Sequence, residues 1–136
     1  MKIEFANIET SYQYLKENDP HVSTKIIRRK IEQNEIIIVS DKGKIVGWLR
    51  FGYFWDMIPI MNMLSLEENY RGRGLGTQLV SFWETTMQEQ GHTSVMTTTL
   101  SDEQAQHFYR KLGYKDVGAL LLPSEALEII FIKTLP

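Results

Sequence analysis

The sequence predicts an α/β protein, and three observations carry that prediction. Short runs rich in β-branched residues, such as "EIIIV" and "SVMTTTL", recur along the chain. Longer stretches between such runs space their apolar residues three and four positions apart, as one face of a helix requires. A glycine-rich segment, "RGRGLG" at 71–76, joins a strand candidate directly to one of those helical stretches, and a further strand follows. In a strand, loop, helix, strand unit the second strand most simply returns parallel to the first.

From the N-terminus, "KIEF" at 2–5 reads as a short alternating strand. "ANIETSYQYLKEND" reads as a helix ending before Pro20, whose ring disfavours helical geometry at Asp19. A second helix is predicted over 22–33, with the basic run "KIIRRK" as a solvated face. "EIIIVSDKGKIVGWLRFGYFW" holds two apolar runs around Asp41, Lys42 and Gly43, a hairpin in which Gly43 takes positive φ. Aromatic residues of the second run supply core, and Tyr53, Trp55 and Asp56 approach a strand end where an acceptor could enter. "IMNMLSLEE" is the next strand. A helix to residue 90 then carries Leu75, Leu79, Phe82, Trp83 and Met87 on one side and stops at Gly91. "SVMTTTL" is a strand, and "SDEQAQHFYRKLG" a short helix with Ala105, Phe108, Tyr109 and Leu112 on one stripe. Ser101 and Gln104 have the spacing of a capping box. Two last strands, 115–122 and 127–135, flank the turn "PSEA".

At 136 residues, with no internal repeat or linker-like tract, the chain is expected to form one domain over 1–136. A formal charge of −2 argues against wholesale binding to nucleic acid or anionic membrane, so any basic site must be local. Cysteine is absent, which removes disulfides and thiolate chemistry and suits a cytoplasmic setting. No run approaches the ~18 apolar residues of a membrane span, and the first ten residues hold no apolar core of a leader, so neither export nor anchoring is expected. His21, His92 and His107 are scattered without ligand-like spacing, and no metal is expected.

Three of the nine glycines fall within 72–76. Each costs roughly 0.5–1 kcal/mol relative to alanine in a helix or strand, so their clustering implies close approach to the backbone. A helix N-terminus presents unpaired N–H groups and partial positive charge, the setting for phosphate. Gly72, Gly74 and Gly76 leave room for an anion, and Arg71 and Arg73 add formal charge. A P-loop would need glycine-lysine-serine/threonine, whereas Thr77-Gln78 follows Gly76. A dinucleotide fingerprint would need G-x-G-x-x-G after the first strand of its unit, whereas the spacing here is G-x-G-x-G after several strands.

The arginine, two residues, glycine, one residue, glycine pattern of Arg71, Gly72, Arg73, Gly74, Leu75 and Gly76 resembles the acetyl-CoA pyrophosphate loop of the GNAT superfamily of N-acetyltransferases. "LSLEENYRGRGLG" is similar to that family's fourth strand and loop, with Glu68 where many members carry proline. "DEQAQHFYRKLGY" is similar to a second family segment, with Ala105, Phe108, Tyr109, Gly113 and Tyr114 in register and Asp102 where asparagine is usual.

The resemblance implies a mixed, mostly antiparallel sheet flanked by helices and splayed between strands four and five. It implies that backbone groups of Leu64, Ser65 and Leu66 pair with the pantetheine arm and that amides from Gly72 to Thr77 hold the pyrophosphate. Acetyl-CoA is then the co-substrate, and a primary amine on a small molecule or peptide attacks its thioester directly. A lysine-like amine is neutral only about 0.04% of the time at pH 7, so a base or desolvated pocket has much to contribute. The family register places Tyr109 on the leaving thiolate and a backbone N–H near Leu66 on the carbonyl oxygen, and homodimers are common among members. The base is unassigned. Glu67 and Glu68 read as solvated carboxylates or as a base acting through water, and Ser101 and Asp102 as capping residues. Tyr109 lies on an apolar stripe, where a core aromatic is the competing reading. A non-catalytic CoA-binding or interaction domain of the same fold stands as the alternative function.

Overall fold

The computed structural model describes all 136 residues, Met1–Pro136. Regular elements follow in the predicted order: β1 (Lys2–Phe5), α1 (Ile8–Asn18), α2 (Thr24–Glu32), β2 (Ile36–Asp41), β3 (Lys44–Phe54), β4 (Ile58–Leu66), α3 (Leu75–Glu89), β5 (Ser94–Leu100), α4 (Ala105–Lys111), β6 (Lys115–Leu120) and β7 (Glu128–Thr134). A single 3-10 turn, Glu68–Tyr70, lies between β4 and α3.

The strands hydrogen-bond in the order β1-β2-β3-β4-β5-β7-β6. The β1–β2, β2–β3, β5–β7 and β6–β7 ladders are antiparallel, and β4–β5 is parallel. That parallel ladder contains Ile60↔Met96 and Met61↔Thr97 and stops there, although β4 runs on to Leu66 and β5 to Leu100. This is the splayed α/β sheet expected from the resemblance. No helix is long and apolar enough to cross a membrane.

The chain forms two compact units, Met1–Phe51 with Met63–Trp83 and Gly52–Asn62 with Glu84–Pro136. In the first, Asn7 caps α1 by accepting the Thr10 N–H at 2.9 Å, and Ser23 caps α2 by accepting that of Ile26 at 3.2 Å. The apolar stripes of these helices bury Leu15, Ile27 and Ile31 against Ile36, Ile38 and Trp48. One reading of α2 needs correction. Lys30 is drawn off the solvated face, its Nζ donating to Glu35 Oε1 and to the Phe51 carbonyl, both at 2.7 Å. Asp19, just past α1, meets Arg50 of β3 in a buried ion pair of 2.8 Å. The β2–β3 turn places Lys42 at φ 51° and Gly43 at φ 79°, the left-handed geometry that matches strand twist.

In the second unit β7 is central, with β5 on one side and β6 on the other. The β3–β4 connection is also a tight turn, which sequence reading missed. Trp55 and Asp56 adopt φ of 56° and 57°, and the Met57 N–H donates to the Phe54 carbonyl at 3.0 Å. No glycine or asparagine marks it, and Trp55 is 76% exposed.

Candidate functional site

In the first unit, the end of β4 is tied down before the glycine-rich turn begins. Glu67 N–H donates to the Val46 carbonyl at 2.8 Å, and the 3-10 turn then brings the Tyr70 hydroxyl to Asp41 Oδ2 at 2.8 Å. The Arg73 guanidinium lies over the Tyr70 ring at 5.2 Å, and Arg71 Nε donates to the Leu66 carbonyl at 3.1 Å. Both arginines are exposed, and each is held by one contact that leaves most of its donors free. The hydrogen bond to Asp41 raises the Tyr70 phenol above its ordinary range.

Gly72 and Gly74 adopt φ of 73° and 80°, conformations that L side chains rarely take. A Cβ on either would meet no protein atom within 4 Å, so the demand is conformational and the surrounding space is open. The Gly74 carbonyl accepts the Gln78 N–H at 3.1 Å, the first bond of α3. The N–H groups of Leu75, Gly76 and Thr77 therefore fall in the first helical turn, where no intrahelical acceptor exists. All the predicted cofactor residues, Leu64, Ser65, Leu66, Arg71, Gly72, Arg73, Gly74, Leu75, Gly76 and Thr77, lie on this one strand end, turn and helix start.

Two features here went unread in the sequence. Gly47 of β3 lies against the end of β4: a Cβ there would sit 2.5 Å from Leu66 Cδ2 and 2.7 Å from the Ser65 carbonyl. A glycine inside an apolar strand was the available signal. Glu67, expected as a solvated carboxylate or a base acting through water, is exposed and also accepts the Tyr14 hydroxyl at 3.1 Å. Burial first, then that hydrogen bond and the Glu67 charge, raise the Tyr14 phenol.

In the second unit Tyr109 is 6% exposed, on the inward side of α4. Its ring meets those of Phe108, Tyr114 and Phe131 at 5.2, 5.7 and 6.2 Å. Burial pushes its phenol up to about 12, the Thr97 hydroxyl pulls it the other way, and Glu103 adds to the rise. Tyr114 donates to Glu84 Oε2 at 2.7 Å, while Lys133 Nζ donates to Glu84 Oε1 at 2.9 Å. The predicted capping box does not form. Helix α4 begins at Ala105 with Gln104 as an uncapped N-cap, and Ser101 instead gives its N–H to the Leu127 carbonyl at 2.7 Å. Asp102 is exposed. His92 stacks on Tyr53 at 5.8 Å, and no group of three or more His, Asp or Glu side chains is arranged to hold a metal ion.

This fold has clear counterparts. The model of the acetyltransferase (GNAT) family matches residues 3–114, and the chain belongs to that family. It is 22% identical over 105 residues to an uncharacterized N-acetyltransferase of Chlorobaculum tepidum, covering 74% of this chain and 65% of the relative. The chain thus spans slightly under two thirds of that relative's length. Among solved structures, Ard1 from Thermoplasma volcanium superposes with a TM-score of 0.82 at 17% identity, over 99% of this chain and 97% of that one. An aminoglycoside 6'-N-acetyltransferase complexed with coenzyme A superposes with a TM-score of 0.75 at 20% identity, over 100% of this chain and 98% of the other. At these identities the likeness is one of fold.

Proposed function

We propose that this protein is an acetyl-CoA-dependent N-acetyltransferase acting as one domain over 1–136. The observation that carries the reading is the turn at Gly72 and Gly74: left-handed, open to solvent, and leading into the bare first-turn amides of α3. Such a turn offers several N–H donors and a helix dipole to a pyrophosphate, with Arg71 and Arg73 close in sequence. Family membership and a CoA-bound relative of the same fold support acetyl-CoA as the co-substrate.

In this reading the backbone of Leu64, Ser65 and Leu66 pairs with the pantetheine arm, and a backbone N–H near Leu66 stabilises the thioester oxygen. The neutral amine of a small molecule or peptide attacks the carbonyl carbon within a ternary complex. The C–S bond breaks, Tyr109 gives its proton to the thiolate, and the acceptor nitrogen loses one in becoming an amide. A buried phenol is fully protonated at neutral pH, as an acid must be. No metal takes part. A cytoplasmic setting and pairing as a homodimer belong to the same proposal.

The test is thiol release from acetyl-CoA across a panel of polyamines, aminoglycosides, amino acids and peptide N-termini, followed by mass spectrometry of the product. A 42-Da gain on one amine, dependent on the protein, is the expected result. Acetyl-CoA binding without release on any amine would favour the non-catalytic alternative, for which the exposed Asp102 in place of asparagine speaks.

A further inference from the structure

Helix α4 spans only seven residues, and the Gln104 side chain makes no capping bond at its start. A helix so short has little stability of its own, so its other end must hold it. There the Tyr114 N–H donates to the Tyr109 carbonyl at 3.0 Å and the Gly113 N–H to that of Arg110 at 3.1 Å, with Gly113 at φ 97°. These two bonds and the left-handed glycine form a Schellman motif, in which Tyr109 and Tyr114 hold the two positions whose side chains meet. Their rings do meet, edge to face, with centroids 5.7 Å apart and planes at 67°.

Tyr114 is in turn anchored from outside the motif. It is 2% exposed, and its hydroxyl donates to Glu84 Oε2 at 2.7 Å. The other oxygen of that carboxylate accepts from Lys133 Nζ of β7 at 2.9 Å, and the same ammonium lies 5.6 Å from the Tyr114 ring centre. Burial first, then the Glu84 charge and the hydrogen bond to it, raise the Tyr114 phenol, so its hydroxyl keeps its proton and goes on donating at neutral pH. Phenylalanine at 114 would keep the ring contact and both backbone bonds, so packing alone does not call for the hydroxyl. Its one bond is the anchor on Glu84.

We propose that Tyr114 is a positioning residue for Tyr109: tied by its hydroxyl to the Glu84 carboxylate, it fixes the last turn of α4 through the backbone bond and the ring contact, and so holds the Tyr109 phenol in one place. The proposal rests on the reading of Tyr109 as the acid that protonates the CoA thiolate. In that step the Tyr109 O–H bond breaks and an S–H bond forms, the electron pair staying on the phenolate, while the acceptor nitrogen loses a proton as it becomes an amide. Tyr114 keeps its own proton throughout. Its contribution is geometric, and a reacting group misplaced by about 1 Å can lose about 100-fold in rate.

The test compares Tyr114→Phe, Glu84→Leu and Glu84→Gln in the wild-type protein and in a Tyr109→Phe background. With an accepted amine, Tyr114→Phe and Glu84→Leu should each lower kcat about 5- to 50-fold while the KM for acetyl-CoA changes less than about twofold. Glu84→Gln, which keeps an oxygen for the Tyr114 hydroxyl, should lose less than about threefold. With Tyr109→Phe already in place, Tyr114→Phe should change kcat by less than about twofold, since the two residues act as one unit. A second readout is independent of turnover. The amide at 114 reports its bond to the Tyr109 carbonyl, and in Tyr114→Phe its hydrogen exchange, followed by NMR, should quicken at least about tenfold while β7 amides stay unchanged. Wild-type turnover in Tyr114→Phe, an equal fold loss in both backgrounds, or unmoved exchange at 114 would each overturn the proposal. If no amine yields thiol, the acetyltransferase reading fails on its own, and the exchange still decides whether the Tyr114 hydroxyl holds the turn that carries Tyr109.

Discussion

Gly47 and Leu66 touch across neighbouring strands so closely that a Cβ on Gly47 would lie 2.5 Å from Leu66 Cδ2. The contact sets the position of the strand end from which the glycine-rich turn departs, because the Ser65 carbonyl would meet the same Cβ at 2.7 Å. The leucine tip can swing away, whereas the carbonyl moves only with the backbone. Gly47→Ala should therefore cost about 1–3 kcal/mol of stability by overpacking and weaken acetyl-CoA binding as well. Thermal unfolding and a cofactor titration on the same sample check both halves; unchanged affinity would detach Gly47 from the site.

Gly74 can be probed by charge at constant strain. At φ 80° any L-residue pays about 1–2 kcal/mol, asparagine least, and no protein atom obstructs the side chain. Gly74→Asn should fold and bind acetyl-CoA with modest loss, whereas Gly74→Asp, of nearly the same shape, should lose binding by well over tenfold through repulsion of the pyrophosphate. Calorimetry on the two folded variants decides it. Equal affinities would remove the phosphate reading of the turn.

For Arg71 and Arg73 the expected effects are smaller, because both are exposed and screened. Changing both to glutamine should weaken CoA by about tenfold, near 1.4 kcal/mol, and leave a dephosphorylated pantetheine fragment almost unaffected. Raising the salt should shrink the difference between wild type and variant. Equal loss for the two ligands would indicate a folding defect.

Tyr109→Phe keeps the ring contacts and removes the proton. Turnover should fall about 10²- to 10⁴-fold, with acetyl-CoA affinity and the neutral-pH melting temperature little changed. The sign of its pH linkage follows from the folded phenol lying near 12 and an unfolded one near 10. The folded state disfavours the phenolate, so this contribution to stability is complete below pH 10 and drains away as the pH rises toward 12. Between pH 9 and pH 11 the melting temperature should therefore fall further for wild type than for Tyr109→Phe. Parallel curves would show that the phenol titrates alike in both states.

The buried ion pair offers a test of the first unit alone. Asp19→Asn leaves Arg50 charged and 5% exposed, which should cost about 3–5 kcal/mol. The double variant Asp19→Leu, Arg50→Met should recover much of that loss. Chemical denaturation of the three proteins measures it, and additive losses would argue against coupling.

What the sequence by itself determined is local. Apolar spacing and the glycines at 43 and 91 act within a few residues of the chain, so element order and the glycine-rich turn between β4 and α3 were legible before any packing was known. Tertiary structure decided whatever depends on partners distant in sequence. Lys30 leaves the solvent for the Phe51 carbonyl, Ser101 gives up its capping box for Leu127, and Asp19 finds Arg50 31 residues away. The left-handed turn at Trp55 and Asp56 belongs to the same group, for no local preference of tryptophan favours φ 56°, and pairing of β3 with β4 must supply the compensation. Thr97 reads in the sequence as one of three identical strand threonines. Only its register against Met61 and Phe131 and the bond from its hydroxyl to the Met61 carbonyl distinguish it, because what a side chain in a sheet touches is set by which strands lie beside it.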